Sequence, residues 1–447
     1  MDLKIVSIDI GTTNIKAAYF EGPRCHEVRQ VTIETRTCDR EQTQDAPTIL
    51  KHVQELIDYG VRHFEIGHIV LTTAMHSLIY RDENQRDEPM ILWSDNRSKP
   101  SMEALCTMDI PFYERTGTPL HPMSPLTKLY QDRAKPIAFV YDLKAYLMEA
   151  LTGLFVTDIS SASASGCFNI HTHTWDLEIL NLIHKDITQF PRVVPVTYQA
   201  PMQHGDRVLT VTIGATDGVM ASAFFMQDTY RHQTKYVMSI GTSIGVRYYA
   251  TKPVLSSTHT TFCYIFNKKA YLCGNASNNG GNLYQWVSDT YFNGTLPFEK
   301  LVDFLEMANP EHIELLAKPY VFGERGPFWR INQNLQFNMQ SNNNTVTTQA
   351  IFLGMIANID LMLESIGFDH NHAIFLTGAF LKNSRMAQRV ADLLNVTLLY
   401  LEDENSVCEA AVSLLGVTLP TKPIIRITPH SKRQSLHRQK QYILQKR

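Results

Sequence analysis

The fold turns on IVSIDIGTTNIKAAYF, residues 5–20. An apolar, β-branched run enters a Gly-Thr-Thr corner and a second apolar run leaves it, which predicts a hairpin. Asp9 closes the incoming strand, Gly11, Thr12 and Thr13 form the corner, and Lys16 lies just beyond. Gly11 permits positive φ and close backbone approach. Successive amides with two hydroxyls can form an anion nest. A lone carboxylate such as Asp9 suits hydrated Mg²⁺, which takes few carboxylates. Read by itself, the stretch fits a nucleotide-phosphate cradle and an ordinary N-terminal hairpin about equally.

The design recurs in YVMSIGTSIGVRYY, residues 236–249. Ser239, Ile240, Gly241, Thr242 and Ser243 align with residues 9–13 at a constant offset, 239 − 9 = 230. A repeat at about half the chain predicts two similar domains, 1–228 and 229–447, each offering a phosphate hairpin to a shared cleft. In GATDGVMASAFF, residues 214–225, a strand runs into a Gly-Ala-Thr corner and Asp217 opens an apolar helix. Asp217 suits an N-cap or first-turn position. Beside two phosphate hairpins it also stands where a kinase places the carboxylate that orients and deprotonates an attacking hydroxyl.

Composition narrows the alternatives. The 447 residues are 44% apolar and 19% charged with net charge −3, which argues against a molecule built to attract nucleic acid or membranes. Seven scattered cysteines without a Cys-x-x-Cys pair predict free thiols in a reducing cytoplasm. No basic-then-apolar leader precedes the first strand, and no unbroken apolar run suggests a membrane span. Neither a P-loop nor a Gly-x-Gly-x-x-Gly fingerprint occurs.

Between the hairpins, residues 48–59 have helical apolar spacing and 68–72 read as a buried strand. Strands followed by helix and strand predict an α/β domain with a mixed sheet. Met75 and His76 follow at that strand's C-terminal end, where ligand crevices open. A structural role for His76 is the stronger reading from position alone. ILWSDNRS, residues 91–98, gathers Trp93, Asp95 and Arg97, which suits either a polyol or a loop with an internal Asp–Arg pair. Residues 115–128, with three prolines, predict an ordered loop that carries His121 and Lys128. Residues 158–165 fit a flexible linker or a tightly packed helix start. Residues 373–378 predict a strand ending at Gly378-Ala379, with a helix over 384–394. From Lys422 on, the tail carries eight Lys or Arg and no acid, which predicts a solvated C-terminal helix.

Assembled, these stretches resemble the FGGY family of carbohydrate kinases over roughly residues 1–419, and within it the gluconokinase subgroup. DIGTTNIK at 9–16 and SIGTS at 239–243 match the two phosphate motifs, GATDG at 214–218 the catalytic-aspartate motif, and LTGAFLKNS at 376–384 the adenosine-side motif. AMHS at 74–77, WSDNRS at 93–98, TGTPLHPMSPL at 116–126, SASASGCFN at 161–169 and NNGG at 278–281 carry the subgroup likeness. The departures are Gly378-Ala379 for paired glycines, GERGPFW at 323–329, and a looser NSVCEAAVSLLG at 405–416. The resemblance implies an α/β fold of two actin-like (RNase H-like) ATPase domains around a cleft, with a basic tail from about residue 421.

It further implies phosphorylation of D-gluconate at the 6-hydroxyl by ATP and Mg²⁺. Asp217 would be the catalytic residue, with Met75, His76, Trp93, Asp95, Arg97 and His121 completing the sugar site. ATP would meet Gly11, Thr12, Thr13, Lys16, Gly241, Thr242, Ser243, Gly378, Ala379 and Asn383, and Mg²⁺ would meet Asp9 and Asp217. Arg97, His121 and Lys128 are the candidates for the substrate carboxylate. A sugar acid and ATP are the expected partners, with no nucleic acid or membrane and a homodimer as a possible assembly. A family kinase for xylulose, ribulose or a related polyol, or a non-catalytic sugar sensor, are the alternatives.

Overall fold

The computed structural model describes residues 2–330, 333–378, 380–401, 406–430 and 434–445. In the first lobe, β1 (Lys4–Ile10), β2 (Asn14–Glu21) and β3 (Arg24–Thr32) form an antiparallel meander. After α1 (Ala46–Phe64), β4 (His68–Thr73) pairs in parallel with β1. A long excursion carries α2 (Leu143–Thr152) and α3 (Ile159–Ser163). The chain returns through β5 (Gln199–His204) and β6 (Arg207–Thr212), and α4 (Asp217–Ala223) follows. The sheet order is β5-β6-β4-β1-β2-β3.

The second lobe repeats this plan. β7 (Tyr236–Ile240) and β8 (Ile244–Ala250) form the hairpin, and β9 (Phe262–Asn267) and β10 (Ala270–Ser277) extend its antiparallel side. α5 (Asn344–Ser365) leads to β11 (Ile374–Thr377), parallel to β7. α6 (Ser384–Leu394), β12 (Leu398–Leu401), α7 (Ser406–Ser413) and β13 (Ile424–Ile427) complete it. The order is β9-β10-β8-β7-β11-β12-β13. In both sheets the hairpin's first strand pairs antiparallel on one side and parallel on the other. The short repeat therefore marks a repeated topology, with β9 as an extra edge strand.

Strand alternation divides the packing. Val6, Ile8 and Ile10 enter a core closed by α1 and α2, while Ile5 joins the core that continues into the second lobe. The hairpin is therefore buried on both faces. α7 crosses back to pack on β1 and α4, tying the end of the chain to the first lobe.

Two expectations change and one open pair of readings resolves. The basic tail is not a solvated helix: α8 (His437–Leu444) packs on α5, burying Tyr442 and Ile443, and Lys440 pairs with Asp360 (2.8 Å) and Glu364. Of the two readings of residues 158–165, the packed helix start holds: α3 is capped by Asp158, whose carboxylate accepts from the Ser160 and Ser161 amides. Within residues 115–128, Pro125 opens a helix, Pro125–Gln131, at a first-turn position where its missing N–H costs nothing. α5 is long and apolar enough to cross a membrane by length and composition, but 94% of that window is buried inside the second lobe. The described cysteines are all free thiols.

Candidate active site

The two hairpin corners face a cleft of about 810 Å³ between the lobes. Of the residues expected from sequence, Thr12, Thr13, Met75, His76, Trp93, His121, Asp217, Gly241, Thr242, Ser243 and Gly378 line it. Each corner closes on itself: the Gly11 amide donates to the Asn14 carbonyl and the Gly241 amide to the Ser243 carbonyl, both at 3.0 Å. The amides of Thr12, Thr13, Thr242 and Ser243 donate no hydrogen bond among the described residues, so each corner offers two donors to an anion.

Gly11 does not use the positive φ that glycine permits, and at Gly241 an added Cβ would meet nothing in the protein. The glycine need lies behind the second corner. Gly378 has φ +95°, and a Cβ there would stand 2.5 Å from the Ile240 carbonyl oxygen. The Gly281 amide also donates to the Gly241 carbonyl at 2.7 Å, bracing the corner from the rear.

Asp217 is the first residue of α4, and its Oδ1 accepts from the Gly218 amide at 2.7 Å. The approach to it is pinned on two sides. Buried Lys144 donates to the carbonyls of Leu71 (3.0 Å), Ile213 (2.6 Å) and Ala215 (3.2 Å). The Ser160 hydroxyl accepts from the Thr216 amide at 3.0 Å. Gly214 (φ +67°) lets this corner press on β4, since a Cβ would sit 1.9 Å from the Leu71 oxygen. Burial raises the Asp217 pKa, opposed by the Gly218 amide and then by Arg247.

Asp9 is raised to about 7, mainly by burial and further by the Asp217 charge. Its Oδ1 is buried without a hydrogen-bond partner. A hard divalent cation fits this pair of carboxylates. Among the described residues no cluster of three His, Cys, Asp or Glu could hold a metal alone, so water and phosphate oxygens would complete the shell, as Mg²⁺ favours.

The sugar side differs from expectation. Asp95 and Arg97 do not line the cleft: Arg97 Nε and Nη2 donate to the buried Asp95 carboxylate at 2.9 and 2.8 Å, which also accepts from the Gln42 amide. Lys128 is buried, donates to the Pro122 and Met123 carbonyls at 2.9 Å, and is pushed down to about 7 by burial.

His76 and His121 line the cleft as neutral rings, each lowered to about 3, first by burial and then by Arg325. His76 Nδ1–H donates to the Ala164 carbonyl (2.8 Å), leaving Nε2 to accept 3.5 Å from the Tyr264 hydroxyl. The Trp93 indole N–H donates to the Thr12 hydroxyl (2.9 Å), so the sugar wall braces the first phosphate corner.

On the nucleotide side, Lys16 stands opposite Asp9 in the strand register and does not line the cleft. Asn383 is turned away as well. It caps α6 through the Met386 amide (3.0 Å) and donates to Glu299 (2.6 Å). Ala379 lies outside the described residues.

Two guanidiniums face the cleft that sequence reasoning left without a role, Arg247 and Arg325. Arg247 folds back over Gly245, where a Cβ would meet Nη2 at 2.5 Å, and donates to the Ser239 hydroxyl at 2.9 Å. Its signal was a single charge inside the apolar strand IGVRYYA. Arg325 stands in GERGP, beside an acid that could have been read as its partner.

The FGGY carbohydrate-kinase N-terminal domain model matches residues 4–222. The chain is 28% identical to a gluconokinase of Bacillus subtilis (strain 168) over 92% of this chain and 86% of the relative. In structure it is similar to a gluconate kinase of Lactobacillus acidophilus, with TM-score 0.88 and 24% identity over 99% of this chain and 96% of that one. A ligand-bound xylulose kinase of the same organism gives TM-score 0.88 and 24% identity over 98% and 96%. The hairpin pair, the doubled topology and these matches agree that residues 4–222 are the N-terminal domain of an FGGY carbohydrate kinase, a phosphotransferase with an alcohol acceptor.

Proposed function

We propose that the protein transfers the γ-phosphoryl group of ATP to the 6-hydroxyl of D-gluconate, giving 6-phosphogluconate and ADP. One observation carries the reading. Asp217 and both amide corners open on one cleft, in a chain whose likeness to a gluconokinase spans 92% of its length. The domain split at 228/229 and the site roles below belong to the same proposal.

Asp217 accepts a hydrogen bond from the 6-hydroxyl and holds its oxygen in line with the γ-phosphorus. The new O–P bond forms as the bond to the bridging oxygen breaks, ADP departs, and the proton passes late to Asp217. Burial makes Asp217 a better base than a solvated carboxylate. The corner amides and Arg247 receive the charge on the transferring group. Asp9 and Asp217 would hold Mg²⁺, which would supply neutralisation of charge on the phosphate oxygens. Closure of the lobes excludes water and suppresses ATP hydrolysis.

A coupled ADP-release assay over gluconate, xylulose, ribulose and glycerol tests the substrate. Gluconate should give the highest kcat/KM. Preference for an uncharged ketose would replace the gluconate reading with the pentulose one, and binding without turnover in the presence of Mg²⁺ would favour a sensor.

A further inference from the structure

Arg325 stands on the sugar side of the cleft, and the mechanism above does not use it. Its guanidinium carbon lies 5.3 Å from the centroid of the Trp93 ring, and Nη1 donates weakly to the Met123 sulfur at 3.7 Å. Nε is buried without a partner. No carboxylate pairs with Arg325 among the described residues. The neighbouring Glu324 is occupied elsewhere, accepting from the amides of Phe328 (2.7 Å), Trp329 (3.1 Å) and Arg330 (2.7 Å).

The surrounding loop is fixed from outside. Asn279 donates to the Gly323 carbonyl at 2.7 Å and Asn358 to the Gly326 carbonyl at 3.1 Å. A half-buried guanidinium on a braced loop, set over an indole with its Nε enclosed and no ion pair of its own, leaves donors for an anion that a ligand would bring. Burial lowers the Arg325 pKa to about 10, which leaves it charged at neutral pH.

The other cations near this wall are spent. Arg97 is paired with Asp95, Lys128 is bound to loop carbonyls, and His76 and His121 are neutral. Arg247 belongs to the phosphate side, bonded to Ser239 beside the second corner. We infer that Arg325 is the specificity-determining residue that takes the substrate's C1 carboxylate in its guanidinium fork, so that the cleft selects aldonic acids over uncharged polyols. The inference rests on the sugar-acid reading above.

The test compares kcat/KM for gluconate and for D-gluconamide, its uncharged amide, in wild type, Arg325→Gln and Arg325→Lys. Wild type should prefer gluconate by about 10²-fold, the scale of a buried charged fork. Arg325→Gln should lose about 10²-fold on gluconate, mainly in KM. Its kcat/KM for gluconamide and its KM for ATP should stay within about 3-fold of wild type. Arg325→Lys, which keeps the charge without the fork, should fall between and serves if the Gln variant does not fold.

Wild type preferring gluconate while both variants keep that preference would overturn the inference alone. Equal losses on both substrates would overturn it in favour of a structural role. Wild type indifferent to the carboxylate would remove the sugar-acid reading, and the inference with it.

Discussion

Residues 9–13 and 239–243 occupy matching strand ends in the two sheets, and each corner leaves two amides for an anion. Their side chains diverge. At the first, Asp9 has a buried oxygen without a donor and a raised pKa. At the matching place of the second stands Ser239, whose hydroxyl accepts from Arg247. The repeat has kept the backbone cradle and exchanged the side-chain charge, so in the proposed reaction the first corner would hold the cation and the second would take the charge of the phosphoryl group. A polyphosphate with its metal needs both. Asp217 lies between them, first on α4, with Gly218 against Arg247.

The largest expected effect comes from removing the group that the two corners share. Asp217→Asn should lower kcat by about 10³-fold or more, with the KM for ATP changed by less than about 3-fold, measured by coupled ADP release. Retained turnover would detach the chemistry from this carboxylate.

Much of this comparison is legible in sequence, because a strand, a Gly-Thr corner and a returning strand are local and their repetition is explicit. Asp217 is legible for the same reason. Charge pairing is not. Asp95 and Arg97 are two residues apart and do pair. Glu324 and Arg325 are adjacent and do not, because Glu324 is turned onto its own loop's amides. Nothing in the spacing separates these cases; the surrounding backbone does. The packing of the tail is hidden in the sequence for a related reason. Its acidic partners Asp360 and Glu364 lie on α5, far away in the chain.

The unpartnered Asp9 carboxylate gives the next prediction, in stability. Its folded pKa, about 7, lies above the ordinary carboxylate value of 3.8, so the fold prefers the protonated form. The stability it contributes is full below about pH 4 and is lost as pH rises through 7. Ligand-free wild type should therefore lose several degrees of Tm between pH 5.5 and 8 relative to Asp9→Asn. Parallel melting curves for the two proteins would mean that Asp9 is not a buried unpaired acid.

The smallest effects separate the corners from what lies behind them. Gly241→Ala should leave Tm within about 2 °C, since the Cβ meets no protein atom, and should raise the KM for ATP several-fold where phosphate approaches. Gly378→Ala should cost about 1–3 kcal/mol, from positive φ and a backbone clash. The reverse ranking in thermal melts would relocate the strain to the corner itself.

The division of labour between the corners is tested most directly by titrating Mg²⁺ at saturating ATP and gluconate in wild type, Asp9→Asn and Arg247→Gln, reading initial rates. Asp9→Asn should shift the half-saturating Mg²⁺ concentration upward by about 10-fold or more. Arg247→Gln should lower the maximal rate by about 10²-fold with that concentration unchanged. Equal shifts in Mg²⁺ dependence in the two variants would contradict the assignment of metal to one hairpin and phosphoryl charge to the other.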